Sequence, residues 1–319
     1  MSLIAKLALN RFVETLNYNF PSELTQYIFQ YYLQCWLPLA KIGHCNQCIC
    51  ILIGNLLSVI VIGIQELKLV RTDVFILKYH YHTGIPFFLD TNGNCYRMYL
   101  PKIIIEQIDS VKNAIDIGVL NDEFVYLNQQ NSIVGKIIDP DKILTANIKQ
   151  LDIVKGSLVA ATKDKQLYWI YSCFKPSKIK INGDCLAFYA NSYSSCYIFI
   201  TTDGLYGYGD NTYGQLGSGY GCTITGIIKI CLTEEFEPIP QIISISYGEN
   251  HTAILTTEGL FTAGLNSYNQ LGHSGNSYKE NKFKKVDLPN ILAVGCGRNC
   301  TIVLTNKGLQ IFGNSNMFS

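Results

Sequence analysis

Cysteine and histidine clusters near the start of the chain could bind a metal ion. The segment His44–Cys50, HCNQCIC, offers thiolate and imidazole groups, but a structural zinc site normally needs two separated ligand pairs, and the sequence has no second Cys-x-x-Cys. Cys48 and Cys50 also alternate with isoleucines, which is typical of a strand with one buried face. His80 and His82 would share one face of a strand, with no acidic third ligand close in sequence. We therefore expect neither a metal ion nor a cofactor.

Motifs that carry catalysis are equally sparse. The sequence has no Gly-x-x-x-x-Gly-Lys-Ser/Thr phosphate loop and no Gly-x-Ser-x-Gly nucleophile elbow. Residues 207–217, GYGDNTYGQLG, are Gly-rich like a nucleotide loop, but the pattern recurs at residues 264–272, which indicates a structural repeat. We therefore predict that the chain has no catalytic residues and is not an enzyme.

The composition indicates a large core and gives no sign of a nucleic-acid partner. Hydrophobic residues make up 48% and charged residues 15% of the 319 residues, and the formal net charge is +1. That balance is typical of a folded chain. The strongest basic cluster, Lys282, Lys284 and Lys285, is too small to suggest nucleic-acid binding. The 12 cysteines are scattered and no secretory signal is evident, so we expect free thiols in the cytoplasm or nucleus.

One apolar stretch allows two interpretations. Residues 48–64 are apolar enough for a membrane span, although they are short for one. Gly54-Asn55, a two-residue hairpin signal between β-branched runs, divides the stretch and favours two buried strands. We therefore expect no association with a membrane.

A Gly-rich β-hairpin occurs three times in the last part of the chain. Residues 196–217, 251–272 and 300–319 align without gaps. The repeat positions are Gly204, Gly209, Asn211, Gln215, Leu216 and Gly217 in the first copy, Gly248, His251, Gly259, Gly264, Asn266, Gln270, Leu271 and Gly272 in the second, and Gly297, Gly308 and Gly313 in the third. Such hairpins are only marginally stable alone, so several must pack side by side.

The physical role of each repeat position can be derived from the first copy. A β-branched and aromatic strand turns at Asp203-Gly204, because glycine takes positive φ without steric cost, and a second strand pairs back. Gly209 is expected where strands crowd and a side chain would clash. Asn211 is expected to bond the backbone of the following loop. His251 is expected to bond to backbone inside a blade. These positions are therefore predicted to be architectural.

The same residues resemble the repeat of the regulator of chromosome condensation family. That repeat runs from a glycine and a histidine through two further glycines, Gly-x-Asn, and a closing Gly-Gln-Leu-Gly. The residues that fit it are Gly204, Gly209, Asn211, Gly214, Gln215, Leu216, Gly217, Gly248, His251, Leu255, Gly259, Gly264, Asn266, Gln270, Leu271 and Gly272. The resemblance covers about residues 185–319 and implies an all-β fold, a seven-bladed β-propeller.

Weaker hairpins upstream supply further blades. Their turns are expected at Gly54-Asn55, Asn92-Gly93, Asn121-Asp122 and Asp164-Lys165, which together with the three clear copies makes seven. Six blades are the alternative. Because the last copy ends before a Gln-Leu-Gly, we expect a segment within residues 34–50 to complete the last blade.

The first 38 residues show a different pattern. Apolar residues recur at helical spacing, which predicts a short N-terminal helical segment before a propeller over residues 39–319. Residues 20–33, FPSELTQYIFQYYL, weakly resemble the start of an F-box, with Phe20 in place of a leucine. A helical cap over one end of the ring is the alternative, and the shortness of the match favours it.

Function is expected in the loops between strands, because loops on a rigid scaffold carry binding. Two long insertions of opposite charge, residues 218–241 and 273–290, form the candidate partner surface. Their charged and apolar candidates are Glu234, Glu235, Phe236, Glu237, Lys282, Lys284 and Lys285. The sequence therefore predicts a non-catalytic protein–protein interaction module. The family resemblance also allows a guanine-nucleotide exchange factor for a small GTPase, and the F-box resemblance allows a substrate adaptor of a ubiquitin ligase.

Overall fold

The structure is a computed structural model. It describes residues 41–314 apart from gaps at 46–47, 54–55, 62–65, 72–75, 83–84, 100–103, 121–122, 136–146, 155–156, 171–175, 192–193, 233–239, 276 and 306–307. Side chains are described from residue 87 onward. The predicted helical segment 1–38, its F-box-like residues 20–33 and the four residues Glu234, Glu235, Phe236 and Glu237 lie outside the described residues.

Twenty-six strands form seven antiparallel sheets in the described part of the chain. The first sheet holds β1 (Lys41–Cys45), β2 (Cys48–Ile53), β3 (Leu56–Val61) and β4 (Glu66–Arg71). The second holds β5 (Ile76–His82), β6 (Ile85–Asp90), β7 (Cys95–Tyr99) and β8 (Ile104–Gln107). The third holds β9 (Ala114–Leu120), β10 (Glu123–Asn128) and β11 (Ile133–Val134), and the fourth holds β12 (Ile148–Val154), β13 (Ser157–Thr162), β14 (Leu167–Ile170) and β15 (Ser177–Lys178).

The three clear repeats correspond to the last three sheets. The fifth sheet holds β16 (Cys185–Asn191), β17 (Cys196–Thr201), β18 (Gly204–Gly209) and β19 (Ile224–Ile230). The sixth holds β20 (Ile242–Tyr247), β21 (His251–Thr256), β22 (Gly259–Leu265) and β23 (Lys279–Lys285). The seventh holds β24 (Ile291–Cys296), β25 (Cys300–Thr305) and β26 (Gly308–Gly313).

The seven sheets are the blades of a closed ring. Strands follow chain order within each sheet, and the first strands of successive blades lie against one another, including β1 of the first blade against β24 of the last. The first strands are therefore innermost and line a central channel. The fold is an all-β, seven-bladed β-propeller, as the sequence predicted, and ring closure leaves few exposed edges.

Side chains link the inner strands of neighbouring blades. Leu151 donates its backbone N–H to Asp116 Oδ2 at 2.9 Å, and Gln150 Nε2 donates to the Phe188 carbonyl at 2.6 Å. The Tyr247 hydroxyl donates to the Tyr189 carbonyl at 3.1 Å. Each bond joins one blade to the next, so buried polar groups are satisfied across the blade interface.

Apolar clusters fill the spaces between blades. One joins Ile198 and Leu216 of the fifth blade to Ile254, Phe261 and Phe283 of the sixth, all buried. Its neighbour packs the Trp169 ring edge-on against Tyr197, with ring centroids 5.1 Å apart. Burial stabilises by about 25 cal/mol per Å² of apolar surface, so these clusters hold the blades together.

The ring has two faces, which we define by the connections that build them. The front face carries the turns between first and second strands, such as residues 248–250, and the connections from third to fourth strands, such as residues 266–278. The back face carries the turns between second and third strands, such as residues 257–258, and the blade-to-blade connections, such as residues 286–290. Every inner strand therefore begins at the back face.

All four upstream turns join paired antiparallel strands, as the sequence predicted. Ile53 pairs with Leu56 around residues 54–55, Leu89 pairs with Cys95 around Asn92-Gly93, and Ala161 pairs with Leu167 around Asp164-Lys165. The turn at Asn121-Asp122 joins β9 to β10, so it is the first turn of its blade and not the second. The second turn lies at residues 129–132, where Asn128 Oδ1 accepts the N–H of Gln130 and of Ser132, each at 3.0 Å.

The predicted closure of the last blade by residues 34–50 is wrong for the part of that segment that the structure describes. Residues 41–45 and 48–50 belong to β1 and β2, which pair with each other in the first blade. Closure comes from β1 packing beside β24. Residues 34–40 lie outside the described residues.

The apolar stretch 48–64 forms two paired strands, β2 and β3. No helix in the described part of the chain is long and apolar enough to cross a membrane.

Candidate functional site

The asparagine of the first two repeats organises the loop that follows it. Asn211 is fully buried, and its Oδ1 accepts the backbone N–H of Leu216 at 2.8 Å while its Nδ2 donates to Ser218 Oγ at 2.8 Å. Asn266 repeats the arrangement in the next blade, where its Oδ1 accepts the N–H of Leu271 at 3.0 Å. The prediction that Asn211 bonds the following loop is therefore confirmed.

The second glycine of each repeat lies where two backbones meet. Gly209, Gly264 and Gly313 have φ angles of 105°, 115° and 104°. A Cβ at Gly209 would lie 2.1 Å from the carbonyl oxygen of Ser195, and those at Gly264 and Gly313 would lie 2.4 Å and 2.3 Å from the equivalent oxygens. Both the conformation and the close approach require glycine, because any side chain would collide with the backbone.

The Gln-Leu-Gly segments of the fifth and sixth blades each contact the following blade. Gly217 (φ 64°) leaves room for the Phe283 ring of the sixth blade, and a Cβ there would lie 2.2 Å from that ring. Gly219 donates its N–H to the Asn281 carbonyl at 2.8 Å, and Ser218 forms a β-bridge with Lys282. Gly272 fits against Phe312 of the seventh blade in the same way. This segment, residues 215–219 and its equivalent, therefore locks successive blades.

His251 was expected to bond to backbone inside its blade, and the structure shows a bond from its side chain across the blade interface. Its Nε2 lies 3.0 Å from Thr301 Oγ1 of the seventh blade, and that hydroxyl donates to the Gln270 carbonyl at 2.7 Å. Because the Thr301 proton is committed to Gln270, the histidine is the donor in the first bond. All three side chains are buried. The histidine is therefore a structural link with no access to a substrate.

Three tyrosines are exposed on the front-face loops near Lys279. Tyr220, Tyr268 and Tyr278 are 71%, 48% and 62% exposed. Lys279 Nζ donates to the Thr212 carbonyl at 3.4 Å and lies beside Gly221, the residue after Tyr220. The N–H of Asn266, two residues before Tyr268, donates to the Tyr278 carbonyl at 2.7 Å. We call Tyr220, Tyr268, Tyr278 and Lys279 the tyrosine patch.

The tyrosine patch is a surface suited to protein docking. Tyrosine supplies a large contact area with few rotatable bonds, and it is enriched at the energetic centres of interfaces. The loops that present these residues are held from below by Asn211 and Asn266, so the patch is built on a rigid base. Sequence reasoning missed the patch, although three tyrosines in the loops around two consecutive repeats were a usable signal.

The lysines of the predicted partner surface do not lie in a loop. Lys282, Lys284 and Lys285 belong to β23, the outermost strand of the sixth blade, where only Phe283 points inward and is buried. Lys284 lies 3.8 Å from Glu280. Residues 218–241 likewise contain a strand, β19. The polar sequence of β23, with Phe283 as its one buried side chain, gives little sign of a strand.

The back face carries a polar cleft of about 730 Å³, lined by residues 255–259 and 285–291. Its titratable side chains are Glu258, Lys285 and Asp287. They offer no nucleophile paired with a base, so the cleft gives no support to catalysis.

The described cysteines are free, and most are buried. Burial raises the pKa of Cys95 and of Cys296 to about 12, and that of Cys185 and of Cys300 to about 11. Cys222 and Cys231 are exposed. In the described residues, no group of three or more histidine, cysteine or acidic side chains could hold a metal ion.

Thiol labelling should separate the two classes of cysteine. A short treatment of the native protein with a maleimide should modify Cys222 and Cys231 and leave Cys95, Cys185, Cys296 and Cys300 unmodified, because the reagent needs an accessible thiolate. Peptide mapping by mass spectrometry measures this directly, and the same treatment in denaturant is the control. Labelling of Cys296 in the native protein as fast as Cys222 would contradict the packing of the last two blades.

A sequence profile of the Regulator of chromosome condensation (RCC1) repeat matches residues 242–270. That segment contains β20, β21, β22 and the Asn266 loop, the same elements whose geometry is described above. Residues 242–270 therefore match one regulator of chromosome condensation repeat. The clear repeats lie within residues 185–319, and the first four blades keep the propeller geometry without the repeat's Gly-x-Asn and Gln-Leu-Gly residues.

Curated relatives match part of the chain. A stretch of 95 residues, 29% of this chain, is 33% identical to the human Probable E3 ubiquitin-protein ligase HERC4, and the rat and mouse proteins of the same name match equally. The match spans 8% of the length of those relatives.

Solved propeller structures share the fold. Prp20p from Saccharomyces cerevisiae superposes with a TM-score of 0.64 at 12% identity, covering 87% of this chain and 83% of that one. Yeast RCC1 (Prp20) bound to Kap60 gives a TM-score of 0.56 at 13% identity, covering 87% and 70%. At such identity the likeness concerns the fold.

Proposed function

We propose that this chain is a non-catalytic protein–protein interaction module whose partner docks on the front face at the tyrosine patch. The observation that carries the proposal is the grouping of three exposed tyrosines around Lys279 on loops that buried asparagines hold rigid. Lys282 is exposed nearby on β23 and adds positive charge, so a partner segment with acidic residues fits best. The free cysteines support action in the cytoplasm or nucleus, where thiols stay reduced.

The repeat residues contribute to function only by holding the surface in place. Asn211, Gln215, Asn266, Gln270 and His251 are all buried, so none is available to a partner. Rigid support lowers the entropy that docking loops lose on binding. In this proposal the exposed loop residues determine the affinity for a partner, and the buried repeat residues determine the stability of the fold.

Binding measurements with substituted tyrosines test the proposal. Partners are first captured from cells with the full chain and then titrated, in purified form, against Tyr220→Ala and Tyr278→Ala. Each substitution should weaken binding by about ten-fold or more, since hot-spot tyrosines contribute at least about 1.4 kcal/mol. Lys180→Ala, exposed on the back face, is the matched control and should bind like wild type. Unchanged affinity of every captured partner for both tyrosine variants would contradict the proposal.

Guanine-nucleotide exchange on a small GTPase is the second candidate. It is supported by the structural likeness to Prp20p, whose crystal structure is reported with its binding to Gsp1p and histones. Release of fluorescent GDP from a panel of small GTPases, with and without the full chain, distinguishes the two functions. Faster GDP release in the presence of the chain would support exchange activity. Binding of a GTPase without faster GDP release would support the interaction module instead. The adaptor role in a ubiquitin ligase stays a prediction, since it depends on residues 20–33.

A further inference from the structure

The inner strands of the third to seventh blades carry a β-bulge at the same place. In each of them, the pairing with the neighbouring strand skips the second residue of β9, β12, β16, β20 or β24. The skipped residues are Ile115, Lys149, Leu186, Ile243 and Leu292. Bulges re-aim a side chain and are over-represented next to functional sites. Because every inner strand begins at the back face, these residues lie at the back-face mouth of the central channel.

The bulges expose large apolar side chains. Ile115, Leu186 and Ile243 are 42%, 43% and 55% exposed, whereas Ala114 and Cys185, the residues before the first two, are buried. The described part of the chain has four exposed large aliphatic side chains, and three of them are these bulge residues. Single exposed apolar residues are ordinary, but their recurrence at one register of the inner strands marks a binding surface.

Lys149 places a cation among these aliphatic side chains. It is exposed, and its Nζ donates to the Leu186 carbonyl at 3.0 Å, so the ammonium group lies beside the bulge of the next blade. An ammonium group carries three protons and this bond uses one of them, so it can also bind an acceptor from outside. Asp116, the acidic residue of β9, is buried, and its oxygens accept the backbone N–H groups of Leu151 and Ile117.

The turn beside Lys149 adds further positive charge. Lys163 is exposed in this turn and donates its backbone N–H at 2.7 Å to the carbonyl of the residue that precedes β12. Asp164 and Lys165 follow it, and Lys165 is paired with Asp184 at 2.8 Å. Two lysines and one aspartate therefore remain outside that ion pair, and this side of the mouth favours a negatively charged partner.

We propose that the bulge row, which we define as Ile115, Lys149, Leu186 and Ile243, binds an acidic and aliphatic segment of a partner protein. A carboxylate of the segment accepts a hydrogen bond from the Lys149 ammonium group, and aliphatic side chains next to it pack on the exposed bulge residues. The apolar contact supplies affinity and the charge pair supplies specificity. The bulge row and the tyrosine patch lie on opposite faces, so this inference goes beyond the proposed function and can fail independently of it.

Selection from a displayed library of short random segments, with the full chain as target, tests the proposal. Segments that bind the wild-type chain and not Leu186→Glu are those that bind the bulge row. They should share an Asp or Glu next to Leu, Ile or Val, and Lys149→Met, which keeps an apolar stem and removes the charge, should weaken their binding about ten-fold. Lys178→Met and Ile104→Glu, at exposed positions of the outer strands β15 and β8, are the matched controls and should bind like wild type.

A double-mutant cycle makes the test specific to the charge pair. Replacing the acid of a selected segment by its amide should weaken binding to the wild-type chain about ten-fold and leave binding to Lys149→Met nearly unchanged, because the lysine charge is already absent there. Equal losses on both chains would overturn the proposal. Selection of segments without an acid, or failure to select any segment that distinguishes Leu186→Glu, would overturn it as well.

Two further measurements keep the test decisive. If Leu186→Glu does not fold, Ile243→Glu replaces it in the selection, since Ile243 is the most exposed bulge residue. Sedimentation of the free chain tests whether a second copy covers the bulge row. A monomer is expected, and a dimer that Leu186→Glu separates would contradict the assignment to a different partner.

Discussion

Gly209→Ala should lower the free energy of unfolding by about 3 to 5 kcal/mol, the upper range for single substitutions. The new Cβ would lie 2.1 Å from the Ser195 carbonyl oxygen, and alanine would also have to adopt a φ of 105°. Left-handed strain alone costs about 1 to 3 kcal/mol, and the collision adds a displacement of the turn beside β17. Urea-induced unfolding followed by circular dichroism measures the change.

Gly226→Ala is the matched control for this prediction. Gly226 lies in β19 of the same blade, and a Cβ there would meet nothing within 4 Å. Its substitution should change the unfolding free energy by less than about 0.5 kcal/mol. Equal effects of the two substitutions would contradict the account of Gly209 as a site of backbone crowding.

Phe283→Ala should destabilise the protein by about 3 to 5 kcal/mol, the usual range for removing a buried aromatic ring. Phe283 is the one inward-pointing buried residue of β23, and it packs into the cluster shared by the fifth and sixth blades and against Gly217. Removing its ring would leave a cavity between the fifth and sixth blades, beside the Gln-Leu-Gly segment. Denaturant unfolding measures the loss.

Lys284→Ala is the control for this prediction. It distinguishes a loss of stability caused by removing the Phe283 phenyl ring from one caused by any substitution in β23. Lys284 is the next residue of β23, is exposed, and its ion pair with Glu280 spans 3.8 Å at the surface. Its replacement should cost less than about 0.5 kcal/mol. A loss of the same size in both variants would contradict the role assigned to Phe283.

Local sequence signals predicted much of the fold, because glycine positions report backbone geometry directly. Gly209 was expected at a crowded site, and a Cβ there would lie 2.1 Å from the carbonyl oxygen of Ser195. The hairpin at Gly54-Asn55 was also predicted, and it divides an apolar stretch into two paired strands. These features depend on neighbours in the sequence and in the same sheet.

Features that depend on the next blade could not be predicted in the same way. The strand β23 reads as a polar loop, because an outermost strand needs only one inward side chain and its other residues face solvent. The bond from His251 to Thr301 joins residues 50 apart in sequence, and nothing local to either residue specifies the partner. Ring closure likewise depends on β1 meeting β24, a contact between the two ends of the propeller.

Hydrogen–deuterium exchange of the complex with a captured partner tests the central claim most directly. The claim is that the front-face loops bind the partner while the buried repeat residues only support them. Backbone amides of residues 211–221 and 266–279 should exchange more slowly in the complex than in the free chain, and those of the back-face segments 257–258 and 286–290 should be unchanged. Protection confined to the back face, with residues 211–221 and 266–279 unaffected, would contradict the account.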